Sequence, residues 1–194
     1  MSDEPKKTGA TYQDLVDLPP LYVGEIVCGD LYASPRPARR HSEISTVLGT
    51  LLVTPFQLGQ GGPGGWKFLD EPELHFGDDV LVPDIAAWRR ERLSSSSVDD
   101  AWIEIPPDWL CEILSPSTAK LDLRRKLPLY ARVGVPFAWV IDPPEKTVKV
   151  LEAHEGAWIQ RAAFSGDAVV RAPPFDAIEL DLGLVWPPGT GTIS

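Results

Sequence analysis

Two carboxylates stand inside strongly apolar stretches of this sequence. Asp84 lies in VLVPDIAAW, and Glu112 lies in WLCEILS, 28 residues further along the chain. Burying an ionised carboxylate is costly unless a partner or a metal ion compensates its charge. Oxygen ligands of this kind suit Mg²⁺ or Mn²⁺, hard cations that keep water in their remaining coordination positions. The alternative is that each acid caps a loop or pairs with a nearby arginine, and these two residues alone leave both interpretations open.

A lysine follows at a spacing that could bring it to the same place. Lys126 lies 14 residues after Glu112, where the chain is expected to enter a helix packed beside the Glu112 strand. Its ammonium could offset negative charge that develops on a phosphate, or orient an attacking water. Two acids, a metal ion and a lysine are what the hydrolysis of a phosphodiester requires. A solvated lysine on a basic helix is the competing interpretation, and spacing alone does not decide between them.

His41 is a further candidate, because its imidazole titrates near neutral pH and could act as a general base. It also precedes Ile44 by three residues, on the face that the first long helix is expected to bury. A half-buried, hydrogen-bonded histidine therefore fits the pattern equally well. The weaker candidates are three further acids, Glu25, Glu71 and Glu73, of which Glu73 is considered as an acid on the metal side of the site.

The elements that must position these residues can be predicted from periodicity. The helix that carries His41 is predicted over 38–53, where apolar residues recur every three or four positions, and Pro55 is expected to stop it. The predicted strands are a hairpin over 22–33, strands at 66–69, 73–76 and 80–88, buried strands at 108–114 and 136–142, and antiparallel strands near 147–152, 157–164 and 178–182.

The segment between the two buried strands contains a helix. Pro128 would clash with the carbonyl of Arg124 in one regular helix, so we predict a turn first and a main helix from Lys126 or Leu127 to Gly134. A strand, a helix and a strand within ~30 residues form a βαβ unit, whose strands are parallel. We therefore predict the α/β (α+β) class, a mixed sheet with helices packed on it, in one domain over 1–194 with an ordered core of about 12–186.

Composition limits the classes of protein that fit. The chain has 194 residues and a net charge of −10, and surplus carboxylate argues against a non-specific nucleic-acid binder. The basic residues are clustered, however, at Arg36, Arg39 and Arg40, at Arg89, Arg90 and Arg92, and at Lys120, Arg124, Arg125, Lys126 and Arg132. Without an apolar run long enough to span a membrane, a cytoplasmic protein is expected. The first ten residues, the last eight and the loop at Ser94–Ser97 are expected to be mobile.

Four strings in combination closely resemble the Uma2 family. They are Pro83-Asp84, PDWLCEILSPST at 107–118, the D-x-x-x-K-x-x-x-Y pattern of Asp122, Lys126 and Tyr130, and GVPFAWVIDP at 134–143. GEIVCGDLYASP at 24–35 is similar to the family's opening hairpin, and His41 matches a histidine near the start of its first helix. The resemblance covers roughly 12–152. The family resembles a branch of the PD-(D/E)xK nucleases, which implies a restriction-endonuclease-like mixed β-sheet flanked by helices, with an N-terminal β-hairpin and extra C-terminal antiparallel strands.

The resemblance also implies roles for particular residues. Asp84 corresponds to the aspartate of the motif and Glu112 to its (D/E)xK acid, so both are expected to bind Mg²⁺ or Mn²⁺. Two residues after Glu112 stands Leu114, where the superfamily has lysine. The family takes its lysine from the following helix, and Lys126 is the matching position. Glu43 is a further catalytic candidate, because some members of the superfamily bring an acid from the first helix to the site.

The function implied is that of a Mg²⁺-dependent endonuclease that hydrolyses phosphodiester bonds of DNA, with the arginine clusters bracketing the phosphates. The alternative is a catalytically inactive nuclease-like scaffold that serves as a nucleic-acid or protein interaction module. A third hypothesis is a metal-dependent hydrolase of small phosphoesters. A homodimer is a further expectation. No helix-turn-helix or zinc module is visible in the sequence, so low sequence specificity is expected.

Overall fold

The structure is a computed structural model, and it describes residues 4–93 and 100–187. Within those residues the strands are β1 (Lys7–Thr8), β2 (Tyr22–Val27), β3 (Asp30–Pro35), β4 (Trp66–Asp70), β5 (Leu74–Phe76), β6 (Asp79–Leu81), β7 (Ile85–Arg89), β8 (Trp109–Ile113), β9 (Phe137–Asp142), β10 (Thr147–His154), β11 (Ala157–Ser165), β12 (Val169–Val170) and β13 (Leu180–Asp181). The predicted loop at Ser94–Ser97 lies outside the described residues.

The helices are α1 (Tyr12–Val16), α2 (Arg39–Leu52), α3 (Arg90–Leu93), α4 (Ala119–Leu121) and α5 (Leu127–Arg132). A π-helical turn, Val53–Gln57, continues α2, and a second one, Asp122–Lys126, joins α4 to α5. A 3₁₀ turn at Leu182–Leu184 follows β13. No helix of the described ranges is long and apolar enough to cross a membrane.

Two main sheets form the framework. One has five strands in the order β1-β3-β2-β6-β5, and the other has six in the order β11-β10-β9-β8-β7-β4; β12 and β13 pair separately. The predicted parallel pair is confirmed, since β8 runs parallel to β9 with Trp109 opposite Phe137. The other pairs of the six-stranded sheet are antiparallel, so the predicted mixed sheet is confirmed. The first ten residues are predicted to be mobile, but β1 lies among them and belongs to the five-stranded sheet, where Lys7 pairs with Leu31 of β3.

Strand β8 shows how the six-stranded sheet divides its side chains between two faces. Trp109 packs in the core cluster that also contains Leu48 of α2. Leu110, the next residue, packs in a different cluster with Tyr130 of α5. Successive side chains of a strand point to opposite faces. Glu112 therefore lies on the face of Leu110, which α5 covers.

The predicted strand over 80–88 is wrong as a single element. The chain leaves the five-stranded sheet at the end of β6 and enters the six-stranded sheet at the start of β7. Pro83 lies between the two strands and has no N–H with which to continue a sheet ladder. Asp84 is consequently the last residue before β7, at the junction of the two sheets rather than inside a strand.

The segment after β8 follows the prediction in part, since α5 begins at Leu127 as predicted, but the structure before it differs. Helical structure runs from α4 through the π turn Asp122–Lys126 into α5 without a break, so no turn separates Lys126 from the preceding residues. The N–H of Leu127 donates to the carbonyl of Asp122, five residues back. This wider turn accommodates Pro128, which a regular α-helix would not. The first helix, α2, ends at Leu52, close to its predicted end at residue 53, and Pro55 is accommodated in the π turn Val53–Gln57 that follows it rather than ending the helical structure.

Candidate active site

A cavity of about 240 Å³ lies where the hairpin β2–β3, the strand β8, the start of α2 and the π turn Asp122–Lys126 meet. Four of the five predicted site residues line it: His41, Asp84, Glu112 and Lys126. These four residues come from four separate parts of the chain, so only the tertiary structure brings them together. Glu43, the fifth, does not line it.

Asp84 and Glu112 are neighbours across the β7–β8 pair. Ile85 stands opposite Cys111, and the next step of the same antiparallel register brings Asp84 beside Glu112. Asp84 Oδ2 accepts a hydrogen bond of 2.6 Å from the N–H of Ile113. One carboxylate is thus tied to the strand that carries the other.

Lys126 is buried among carboxylates. Its ammonium lies 2.9 Å from Glu25 Oε1, 3.0 Å from Glu112 Oε1 and 3.4 Å from Asp122 Oδ1. It also donates a hydrogen bond of 3.0 Å to the carbonyl of Val82. Burial by itself lowers the pKa of Lys126, but Glu112 and Glu25 outweigh it and raise that pKa well above its usual value. The lysine is therefore a fixed positive charge.

The acids around Lys126 are crowded. Burial, with a smaller contribution from the neighbouring acids, raises the pKa of Glu112 well above its usual value against the lowering effect of Lys126. Tyr130 donates a hydrogen bond of 3.0 Å to Glu112 Oε1. Burial also raises the pKa of Asp122 to about 6, with Lys126 opposing and Glu25 adding to the rise. One lysine does not neutralise these acids fully.

The composition of the cavity fits a divalent metal ion. Five acids line it against three basic side chains: Glu25, Glu71, Asp84, Glu112 and Asp122 against Arg36, His41 and Lys126. Surplus buried carboxylate requires a proton or a cation, and oxygen ligands suit Mg²⁺ and Mn²⁺. In the described part of the chain, no three His, Cys, Asp or Glu side chains are arranged to ligate one metal ion. A metal ion here would therefore need water to complete the ligands that two carboxylates such as Asp84 and Glu112 could supply.

His41 is positioned beside Asp84. Its Nε2 lies 3.1 Å from Asp84 Oδ1, and only 12% of the side chain is exposed. Burial by itself lowers the pKa of His41, but the hydrogen bond and the charge of Asp84 more than compensate and raise it. Of the two interpretations of His41, the geometry favours a half-buried, hydrogen-bonded histidine over a free general base, because Nε2 is already paired with Asp84.

Two predicted acids lie outside the cavity. Glu43 forms an ion pair of 3.3 Å with Arg39 one helical turn away, and 43% of its side chain is exposed. Glu73 accepts a hydrogen bond from Tyr12 and contacts His75 Nε2 at 2.7 Å. The structure therefore does not bring Glu43 or Glu73 together with Asp84.

The structure adds residues that the sequence left weak or unassigned. Asp122, Lys126 and Tyr130 follow one another at intervals of four residues, a spacing that places them on one face of a helix. That periodicity was the signal for Asp122 and Tyr130 as partners of Lys126. Glu25, a weak candidate, lies in β2 among buried apolar residues, the same signal that Glu112 gives.

The arginine clusters do not all bracket the cavity as expected. Arg36 lines the cavity and forms an ion pair of 3.4 Å with Glu71. Arg89 lies at the other end of β7 from Asp84, about 16 Å away at the usual rise of a strand, and stacks on Trp66. Its neighbour Arg90 donates to the carbonyl of Gln57. The arginine cluster at 89–92 therefore lies on another part of the surface and does not bracket the cavity.

Comparisons with known proteins bear on the family and the fold of the chain. The chain is similar in structure to a crystal structure described as a "putative nuclease belonging to DUF820" from Anabaena variabilis. The TM-score is 0.71 and the sequence identity 26%, over 91% of this chain and 97% of the other. No curated protein matches the sequence. The model of the family Uma2, "Putative restriction endonuclease", matches residues 11–183. The chain therefore belongs to the Uma2 family and has its restriction-endonuclease-like fold.

Proposed function

We propose that this protein is a metal-dependent nuclease that hydrolyses phosphodiester bonds in DNA. Asp84 and Glu112 would hold Mg²⁺ or Mn²⁺, and Lys126 would act on the phosphate that reacts there. When bound, the metal ion would supply Lewis-acid activation of a phosphoryl oxygen and of a water molecule. Membership of the Uma2 family and the nuclease-like fold support this proposal.

The observation that carries the proposal is the contact between Lys126 and Glu112 in the cavity that Asp84 also lines. A buried ammonium is costly in the fold, and a purely structural need would be met more cheaply by an apolar side chain. A permanent positive charge next to a two-carboxylate site is instead suited to a reaction in which a phosphate gains negative charge.

The other residues of the chain would hold this arrangement in place. Glu25 and Asp122 keep the Lys126 ammonium at a fixed position. His41 and the N–H of Ile113 each hold one oxygen of Asp84, which fixes the orientation of that carboxylate. Fixing charges before the reaction lowers the cost of reorganisation during it.

The second candidate function is an inactive nuclease-like scaffold that binds nucleic acid or protein. The favouring observation is that the Lys126 ammonium already contacts three carboxylates and a carbonyl oxygen. Such an ammonium has no free donor for a substrate unless one of those contacts is given up. Homodimerisation and a cytoplasmic location stay predictions from the sequence.

Cleavage of plasmid and oligonucleotide DNA with Mg²⁺ or Mn²⁺ tests the proposal. We expect wild-type protein to cut, and Asp84→Asn, Glu112→Gln and Lys126→Met to lose at least about 100-fold in rate, as expected when charge stabilisation at a reaction centre is removed. Glu145→Gln and Lys149→Met are matched controls, because both residues are exposed around the β9–β10 turn. A wild type that cuts nothing, or site variants as active as the controls, would contradict the proposal and favour the scaffold.

A further inference from the structure

A second cavity, of about 420 Å³, adjoins the active-site cavity. The two cavities share Ser34 and Ser117, which line both. Ser34 lies in β3, opposite Val23 of β2, and Ser117 follows Glu112 by five residues in the loop after β8. A ligand that fills the second cavity would therefore contact two hydroxyl-bearing residues that also line the candidate active site.

The charge of this cavity is opposite to that of the active site. Its charged lining residues are Lys6, Lys120 and one acid, Glu4. Within the described ranges neither ammonium forms an ion pair with a carboxylate, and both lysines are exposed. Two ammonium groups and two serine hydroxyls suit phosphate oxygens. An anionic ligand is thus attracted here, beside a site whose own acids would repel it.

The remaining lining is apolar and aromatic. Tyr22 and Tyr32 stand on the two strands of the hairpin, and Leu121 contributes from α4. The Lys6 ammonium lies 4.9 Å from the centre of the Tyr22 ring. A volume of about 420 Å³ falls within the ~300–1,000 Å³ typical of sites for small organic ligands. Cations combined with aromatic surface are the usual means of holding unpaired nucleotides.

We propose that this second cavity binds the nucleotide next to the scissile phosphodiester in an unpaired strand, with Lys6 and Lys120 on its phosphates. The inference rests on the proposed nuclease function and narrows its substrate to single-stranded or frayed DNA. In a duplex the faces of the bases are stacked on one another, so a protein surface meets only the backbone and the base edges in the grooves. A recess with apolar walls instead accepts a base that has left the stack.

Fluorescence anisotropy with a labelled 12-nucleotide single strand, and with the same strand in a duplex, tests the inference in Ca²⁺ in place of Mg²⁺. Lys120→Glu and the double variant Lys6→Glu/Lys120→Glu should bind the single strand at least 10-fold more weakly. The double variant should also have a smaller salt dependence, by about 1.4 in the slope of log K against log salt concentration, because it no longer neutralises two phosphates. Lys149→Glu, an exposed lysine on β10, is the control and should bind like the wild type.

The outcomes separate this inference from the proposed function. Unchanged single-strand binding in the double variant, a wild type that binds no single strand, or a wild type that binds the duplex as tightly would each overturn the inference, whatever the protein cleaves. The remaining outcome is that the double variant binds the single strand more weakly while the Lys149→Glu control does not, and the wild type cleaves nothing in Mg²⁺ or Mn²⁺. That outcome would support the cavity as a binding site and refute the nuclease function.

Discussion

The Lys126 ammonium lies 3.0 Å from Glu112 Oε1, and both side chains are almost completely buried, with exposed fractions of 3% and 2%. Lys126 is the last residue of the π turn Asp122–Lys126, which Pro128 follows by two residues. Glu112 lies in β8, in the interior of the six-stranded sheet. Because water does not reach the two charges, each is stabilised by the other rather than by solvent. The pair therefore links stability to the candidate chemistry.

Replacing Lys126 by Met should reduce the free energy of unfolding by about 3–5 kcal/mol at pH 7, because three buried carboxylates lose their cation. Urea denaturation in EDTA measures the change. Lys149→Met, the same substitution at an exposed position, should stay within about 0.5 kcal/mol of the wild type. A loss in Lys126→Met no larger than that of the control would show that the acids around it are neutral in the fold.

Asp122 should make the protein less stable as pH rises. Its pKa is raised from 3.8 to about 6 in the folded chain, so between those values the folded state binds more protons than the unfolded state. The free energy of unfolding then falls with rising pH, by about 3 kcal/mol in total at 1.36 kcal/mol per pH unit. Urea denaturation of wild type and Asp122→Asn in EDTA, from pH 4 to 7, measures the effect.

The quantity that tests this prediction is the difference in the free energy of unfolding between wild type and Asp122→Asn. Wild type should lose stability relative to Asp122→Asn across this range, because asparagine cannot be deprotonated. If the difference in the free energy of unfolding is the same at pH 4 and pH 7, the carboxyl of Asp122 is not held protonated by its surroundings.

Much of the site could be predicted from the sequence, for reasons that are local. Glu112 stands in a short apolar strand, and alternation along the strand fixes its face. Asp122 and Tyr130 lie four residues before and four residues after Lys126, so one helix face carries all three. Parallel pairing of β8 and β9 follows from the helix between them. These inferences need only the period of each element.

The rest depends on contacts between distant segments. Glu25 reaches Lys126 across 101 residues of chain, and nothing in its own strand indicates that partner. The break at Pro83 could not be seen because β6 and β7 are both apolar, although they belong to different sheets. Glu43 is an acid on α2, the helix that carries His41, yet it pairs with Arg39 and does not line the cavity. Tertiary packing decides such cases.

The hydrogen bond between His41 and Asp84 should contribute most below neutral pH. Asp84 raises the pKa of His41 against the effect of burial, so the stabilisation is fully present below the unfolded value near 6.5 and is lost as pH rises through the folded value. A double-mutant cycle of His41→Gln and Asp84→Asn in EDTA should give a coupling energy of about 1–2 kcal/mol at pH 6 and less at pH 9.

The exposed pair Arg171 and Glu179, 3.6 Å apart, is the control for that cycle. Its coupling energy should be below about 1 kcal/mol at both pH values. Coupling between His41 and Asp84 that is as strong at pH 9 as at pH 6 would mean that the imidazole interacts with Asp84 in its neutral form.

Glu25→Gln should lower kcat by about 10-fold to 100-fold and leave KM for DNA nearly unchanged, the size of effect that supporting residues have at comparable sites. Glutamine can still accept the Val82 N–H, which Glu25 Oε1 accepts at 2.8 Å, but it lacks the charge that holds Lys126. Steady-state kinetics on single-stranded and duplex DNA measure the two constants, with Glu145→Gln as control. A rise in KM at constant kcat would place Glu25 in substrate binding instead.

Mn²⁺ should stabilise the wild type and bind more tightly as pH rises. A metal concentration 100-fold above its Kd contributes ~2.7 kcal/mol, which corresponds to a rise in Tm of roughly 5–10 °C for a chain of this size. Burial raises the pKa of Glu112, so protons compete with the metal ion for this carboxylate up to a higher pH than at an ordinary glutamate. Calorimetry at pH 5.5 and 7.5 should therefore show tighter binding at the higher pH and proton release on binding.

Variants of the two proposed ligands distinguish this site from adventitious binding at the acidic surface. Asp84→Asn and Glu112→Gln should each abolish most of the rise in Tm, whereas Glu145→Gln should retain it, although all three lower the negative charge of the protein by the same amount. Equal rises in Tm for all of these proteins would mean that Mn²⁺ binds elsewhere. The net charge of −10 makes this comparison necessary, because exposed carboxylates alone attract divalent cations.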